Sequence, residues 1–111
     1  MTGRGIARAA AAVLAAAALT IGSASCSPGP TTHTVTIDAT RFQPADLRVR
    51  VGDTVIWVNK DLFPHTATAG GVFDSGSIAP DRSWQYTVTA SGVTDYDCTF
   101  HPTMKGRLLA E

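Results

Sequence analysis

Apolar and polar positions alternate with a period of two along most of the chain beyond residue 33. In Thr34-Val35-Thr36-Ile37-Asp38, Val35 and Ile37 fall on one side. Leu47-Arg48-Val49-Arg50-Val51 sets Leu47, Val49 and Val51 against Arg48 and Arg50, which predicts a strand with one face in a core and one in water. Gly52-Asp53 then turns the chain into Thr54-Val55-Ile56-Trp57-Val58-Asn59, an apolar run suited to a central strand covered on both faces.

Residues 60–81 carry Gly, Pro and Asp and predict loops with at most short strands. Alternation resumes in Ser83-Trp84-Gln85-Tyr86-Thr87-Val88, turns at Ala90-Ser91-Gly92 and continues through Val93-Thr94-Asp95-Tyr96-Asp97-Cys98. Lys105-Gly106-Arg107-Leu108-Leu109 closes the pattern. No segment past the N-terminal region shows a 3.6-residue apolar stripe, so the expected class is all-β, a sandwich or small barrel. Trp57, Trp84 and Tyr86 are expected in its core, and His33 at the surface.

The N-terminal region reads differently. Arg4 and Arg8 precede a nearly unbroken apolar run of thirteen residues from Ala9 to Ile21, followed by small residues. That order is the pattern of a bacterial export signal, and the run falls short of the roughly 20 residues that span a bilayer. Residues 1–25 are therefore expected as a signal peptide. Ser23-Ala24-Ser25 suits ordinary cleavage, whereas Cys26 directly after it resembles the acylated cysteine of bacterial lipoproteins, with Ser23 where Leu is usual. Acylation would consume a thiol otherwise left free in an oxidising compartment, and a lipid anchor at Cys26 is the favoured expectation. Residues 26–33 read as a flexible tether and residues 34–111 as one domain. Cleavage after residue 25 leaves seven basic against nine acidic side chains, a net charge near −2 that excludes a strong basic footprint for nucleic acid.

The chemistry lies near the C-terminus, in Cys98-Thr99-Phe100-His101-Pro102-Thr103-Met104. A thiolate, an imidazole and a thioether at three-residue spacing suit copper: the sulfur ligands favour Cu(I), and imidazole serves both oxidation states. His65, in Phe63-Pro64-His65-Thr66, would complete a His₂Cys trigonal site with a weak axial Met104. Tyr96 and Cys98 share parity, so an inward Tyr96 points Cys98 into the same end of the fold. A reversal over Thr99–Thr103 would then return His101 and Met104 to it. Taken singly, a buried Cys or Met is ordinary core and a His after Pro is ordinary loop. Together, within seven residues of a chain holding three His and two Met, they point to a metal. Zinc gains nothing from a thioether, and iron–sulfur clusters need more thiolates.

On these residues the chain resembles the cupredoxins, the type 1 blue copper proteins of the plastocyanin/azurin family. Its Cys-x-x-His-x-x-Met loop is similar to that of the amicyanin branch. The likeness runs from about Thr34 to Glu111 and takes in Val51–Asn59, Phe63-Pro64-His65 and Tyr96–Gly106. It implies a Greek-key β-sandwich of about seven or eight strands, with His65, Cys98 and His101 as equatorial ligands and Met104 axial. Many members follow the first histidine with Asn; here Thr66 stands there, with a hydroxyl and a backbone N–H to offer the ligand sulfur's surroundings.

The function expected from this is one-electron transfer outside the cytoplasm, in the periplasm or on the outer face of the membrane. The protein would act as a monomer, not an enzyme, with a cytochrome, oxidase or dehydrogenase as partner. Phe63, Pro64, Phe100 and Pro102 would form an apolar docking rim around His101. Copper sequestration or delivery is the alternative, since the same ligands could serve it. A multicopper enzyme needs further histidines, and only His33 is left over.

Overall fold

The computed structural model describes residues 1–3, 5, 10–18 and 29–111. Cys26, and with it the expected anchor, lies outside the described residues. Among the described residues no helix is long and apolar enough to cross a membrane.

Among the described residues, nine strands form two sheets: β1 (Thr32–Asp38), β2 (Arg41–Gln43), β3 (Asp46–Val49), β4 (Thr54–Asn59), β5 (Thr68–Ala69), β6 (Phe73–Asp74), β7 (Ser83–Thr87), β8 (Gly92–Cys98) and β9 (His101–Ala110). One sheet has the order β2-β1-β4-β7 and the other β3-β9-β8-β5-β6. The pairs β1–β4 and β3–β9 are parallel and the rest antiparallel. Chain passes between β2 and β3, β3 and β4, β4 and β5, β6 and β7, and β7 and β8 each change sheet, which builds a two-sheet sandwich. The count exceeds the expected seven or eight because the two-residue strands β5 and β6 form inside the segment read as loop.

The alternating positions close over one core. Val35, Ile37, Val55 and Trp57 are fully buried from one sheet, and Tyr96, Cys98, Met104 and Leu108 are buried from the other. Trp57 packs edge-on to Tyr96 at 5.4 Å and tilts against Phe73 at 5.3 Å, while Tyr96 also meets Phe42 at 4.7 Å. Such aromatic pairs each add about 0.5–1.5 kcal/mol beyond area burial. Trp84 and Tyr86 are partly buried and pack against this cluster.

Three expectations at the tether end need correcting. Strand β1 begins at Thr32, two residues before the predicted domain start, because its first residues pair with the start of β4. His33 is a half-buried strand residue, and its Nε2 lies 2.8 Å from Asp53 Oδ2. Val51 is 48% exposed, because β3 ends at Val49 and Gly52, at φ +96°, turns the chain before Val51 can face the core.

This topology separates two poles. The start of β1 is level with the start of β4, and the start of β8 with the end of β9. The opposite pole carries the ends of β4 and β8, and there His65, Cys98 and His101 come together.

Candidate metal centre

Cys98 ends β8, where a bulge between Asp97 and Cys98 shifts the register and pairs Cys98 with His101. The reversal needs only Thr99 and Phe100, so His101 is already the first residue of β9, a tighter turn than the sequence suggested. Lys105 pairs with Asp97, which sets buried Met104 level with Cys98 on the neighbouring strand.

His65 reaches the same place from the β4–β5 connection. Its backbone forms a two-way bridge with Ile78, at 3.1 Å and 2.7 Å. Asn59, fully buried at the end of β4, winds the intervening loop around its side chain. Its Nδ2 donates to the carbonyls of Phe63 (2.7 Å) and Ile78 (2.9 Å), and its Oδ1 accepts from the Asp61 amide (2.9 Å).

Cys98 Sγ lies 3.8 Å from His65 Nδ1 and 3.8 Å from His101 Nδ1, and the three donor atoms are within 4.8 Å of one another. His65 and Cys98 are wholly buried, while His101 is partly exposed. With a metal–nitrogen bond of about 2.0 Å and a metal–sulfur bond of about 2.3 Å, one ion bound by both atoms holds N and S about 3.5–3.7 Å apart for angles between tetrahedral and about 120°. The 3.8 Å spacings therefore suit a single ion shared by these donors, and a His₂Cys set suits copper.

The family described as copper binding proteins, plastocyanin/azurin family, matches residues 30–111. This chain belongs to that family. Over 83 residues it is 34% identical to amicyanin of Paracoccus denitrificans and 30% identical to amicyanin of Paracoccus versutus; each match covers 69% of this chain. The chain spans 63% of the length of either relative. Among solved structures, a reduced amicyanin variant superposes with a TM-score of 0.69 at 32% identity, covering 72% of this chain and 82% of that one. A Cu(I) amicyanin variant matches equally, at 0.69 and 30%. Family and donor set agree on one copper ion.

Within this plastocyanin/azurin-family site, Thr66 joins the two ligand loops. Its backbone N–H points at Cys98 Sγ at 3.3 Å. Its Oγ1 accepts from the Thr99 amide at 2.9 Å and lies 3.0 Å and 3.3 Å from the hydroxyls of Thr68 and Thr99. A single hydroxyl thus spans from the histidine loop to the turn after the cysteine.

Sequence reading missed Asp61. Its Oδ2 lies 2.9 Å from His65 Nε2 and also accepts the Thr40 amide at 2.9 Å, and Oδ1 accepts the Leu62 amide at 3.2 Å. The Thr40 N–H, followed by His65 and the Leu62 N–H, holds the Asp61 carboxyl below the ordinary carboxylate range, so the group is ionised near neutrality. An ionised carboxylate only accepts, which places the His65 proton on Nε2 and leaves the Nδ1 lone pair facing Cys98. The i−4 spacing from the histidine was the only hint in the sequence.

Around the site, Phe63, Pro64, Phe100 and Pro102 are exposed. Leu62, absent from the predicted set, is the most exposed of the large apolar residues near it, at 85% against 63% for Phe63 and 52% for Phe100. His33 stands at the other pole, engaged by Asp53.

Proposed function

We propose that His65 Nδ1, Cys98 Sγ and His101 Nδ1, together with the Met104 thioether as the weakest donor, would hold the copper, and that the protein is an exported one-electron carrier. The observation that carries this reading is the pair of equal 3.8 Å separations from Cys98 Sγ to the two imidazole nitrogens. The ion supplies a single-electron couple between Cu(I) and Cu(II). The protein's part is to keep one geometry for both states. Asn59 and the Ile78 bridge fix the His65 loop, and the Thr66 hydroxyl ties it to Thr99. The Thr66 N–H on the sulfur stabilises thiolate charge. Burial of Cys98 excludes water and oxidants from it.

Electrons pass at the one partly exposed ligand, His101, which lies between Phe100 and Pro102. Leu62, Phe63, Pro64, Phe100 and Pro102 give an apolar surface for brief docking with a cytochrome, oxidase or dehydrogenase; weak redox encounters of this kind bury small areas. Export by residues 1–25, to the periplasm or the outer face of the cytoplasmic membrane, and tethering through Cys26 complete the reading. Mass spectrometry of the mature chain tests that part: a diacylglyceryl mass on Cys26 supports the anchor, and an unmodified new N-terminus contradicts it.

Stopped-flow mixing of the Cu(I) protein with an oxidised c-type cytochrome tests the carrier role. Fast cytochrome reduction with copper retained is expected. Slow electron exchange together with rapid copper loss to an apo-acceptor would instead support delivery.

A further inference from the structure

The hairpin joining β1 to β2 adopts a costly conformation without an evident need. Its two turn residues, Ala39 and Thr40, have φ of +51° and +57°. A two-residue turn of this hand favours Asn and Gly, and a β-branched residue there is an outlier. Strain that persists is worth relating to what it positions. Here the turn aims the Thr40 N–H at Asp61 Oδ2, the atom that also contacts His65 Nε2. Two further bonds hold the arrangement. Asp38 Oδ1 accepts the Ala39 amide at 2.9 Å, and the Lys60 amide donates to the Ile37 carbonyl at 2.8 Å, attaching the ligand loop to the end of β1.

We propose that the left-handed Ala39–Thr40 turn and Asp61 together form a positioning device for His65. The turn amide fixes the carboxylate, and the carboxylate fixes the imidazole as its Nε2–H tautomer with Nδ1 presented to the metal. The edge hairpin of one sheet thereby sets a ligand at the pole of the sandwich. Asp61 and Thr40 are positioning residues, acting through His65. This rests on His65 being a copper ligand, although the tautomer it predicts belongs to the metal-free protein as well.

The test uses the apo protein first. Long-range ¹H–¹⁵N spectra of the His65 ring should show a single Nε2–H tautomer in the wild type. In Asp61→Ala it should become a mixture, and copper affinity should fall about 10–100-fold, the usual consequence of losing a carboxylate behind a ligating histidine. Asp61→Asn retains a carbonyl acceptor and near-native packing, so it should keep the tautomer and lose less affinity than Asp61→Ala. An amide-to-ester replacement at Thr40 deletes only the N–H and should loosen the tautomer in the direction of Asp61→Ala.

A wild-type apo protein with the proton on Nδ1 would overturn the proposal. So would an Asp61→Ala protein with one tautomer and copper affinity within about twofold of wild type, against the loss such partners usually cause. An ester variant indistinguishable from wild type would overturn the part assigned to the turn. Failure of the ligand reading has a separate signature: His65→Ala would then bind copper as the wild type does, with the apo tautomer results unaffected.

Discussion

Replacing Thr66 by Val removes one oxygen from the centre of the site while keeping the branched shape and the backbone N–H to Cys98. A hydroxyl has one proton to give and two lone pairs to fill. Those of Thr66 are occupied by the Thr99 amide at 2.9 Å and by the hydroxyls of Thr68 and Thr99 at 3.0 Å and 3.3 Å. Thr99 is exposed and Thr68 partly so, and their hydroxyls regain water in the variant. The Thr99 N–H, directed into the tight turn after Cys98, is the group left without its acceptor. The expected loss is about 1–2 kcal/mol, the scale of one such orphaned donor, which in a domain of this size lowers the melting temperature by about 4–16 °C. Calorimetry of the metal-free protein measures this directly. Thr66→Asn, restoring the residue that the family resemblance leads one to expect, should recover much of it through its side-chain carbonyl. The copper form of Thr66→Val should keep its thiolate colour, since the N–H to sulfur remains, but release copper faster. An unchanged melting temperature in apo Thr66→Val would refute the view that this hydroxyl clamps the two ligand loops.

Other outcomes follow from separate features. In Gly106→Ala the new Cβ would sit 2.2 Å from Tyr96 Cζ and 2.4 Å from its hydroxyl, with the ring pinned by Phe42 and Trp57, so urea titration should show a loss of about 1–3 kcal/mol or more. Asp53 is lowered from 3.8 to about 2 by the Thr31 N–H first, then by His33 and the Arg50 N–H. A depressed carboxyl contributes stability that is complete above the unfolded value and lost as pH falls through the folded one. The urea midpoint should therefore drop from pH 3.8 towards about 2, and less steeply in Asp53→Asn; equal slopes would remove Asp53 as a cause. A charge on the rim, in Leu62→Asp or Pro102→Glu, should slow electron transfer to a partner while leaving the optical spectrum intact. A lost spectrum with normal transfer would reverse that assignment.

Much of the site was written locally in the chain. Cys98, His101 and Met104 belong to one turn and the strand after it, so their spacing alone predicts convergence once β8 and β9 pair. Trp57 was expected in the core from its apolar run, and Tyr96 shares strand parity with Cys98. The long-range partners were illegible. Asp61 touches His65 only because buried Asn59 coils residues 60–64 around itself, and it is held by the Thr40 amide from another hairpin. His33 looked like tether because its partner, Asp53, lies twenty residues away and is brought beside it by the parallel β1–β4 register. Val51 fitted the alternation but followed the end of its strand. Strands β5 and β6 are too short to carry a period, and they exist because Thr68 and Ala69 pair with Asp74 and Phe73 while Thr68 also pairs with Asp97 of β8.

The optical spectrum of the Cu(II)-loaded domain bears most directly on the central claim, that Cys98 would bind copper together with His65 and His101. Intense blue absorption, bleached by a mild reductant and absent in Cys98→Ser, is predicted. A colourless wild-type complex, or an equally blue Cys98→Ser, would contradict it.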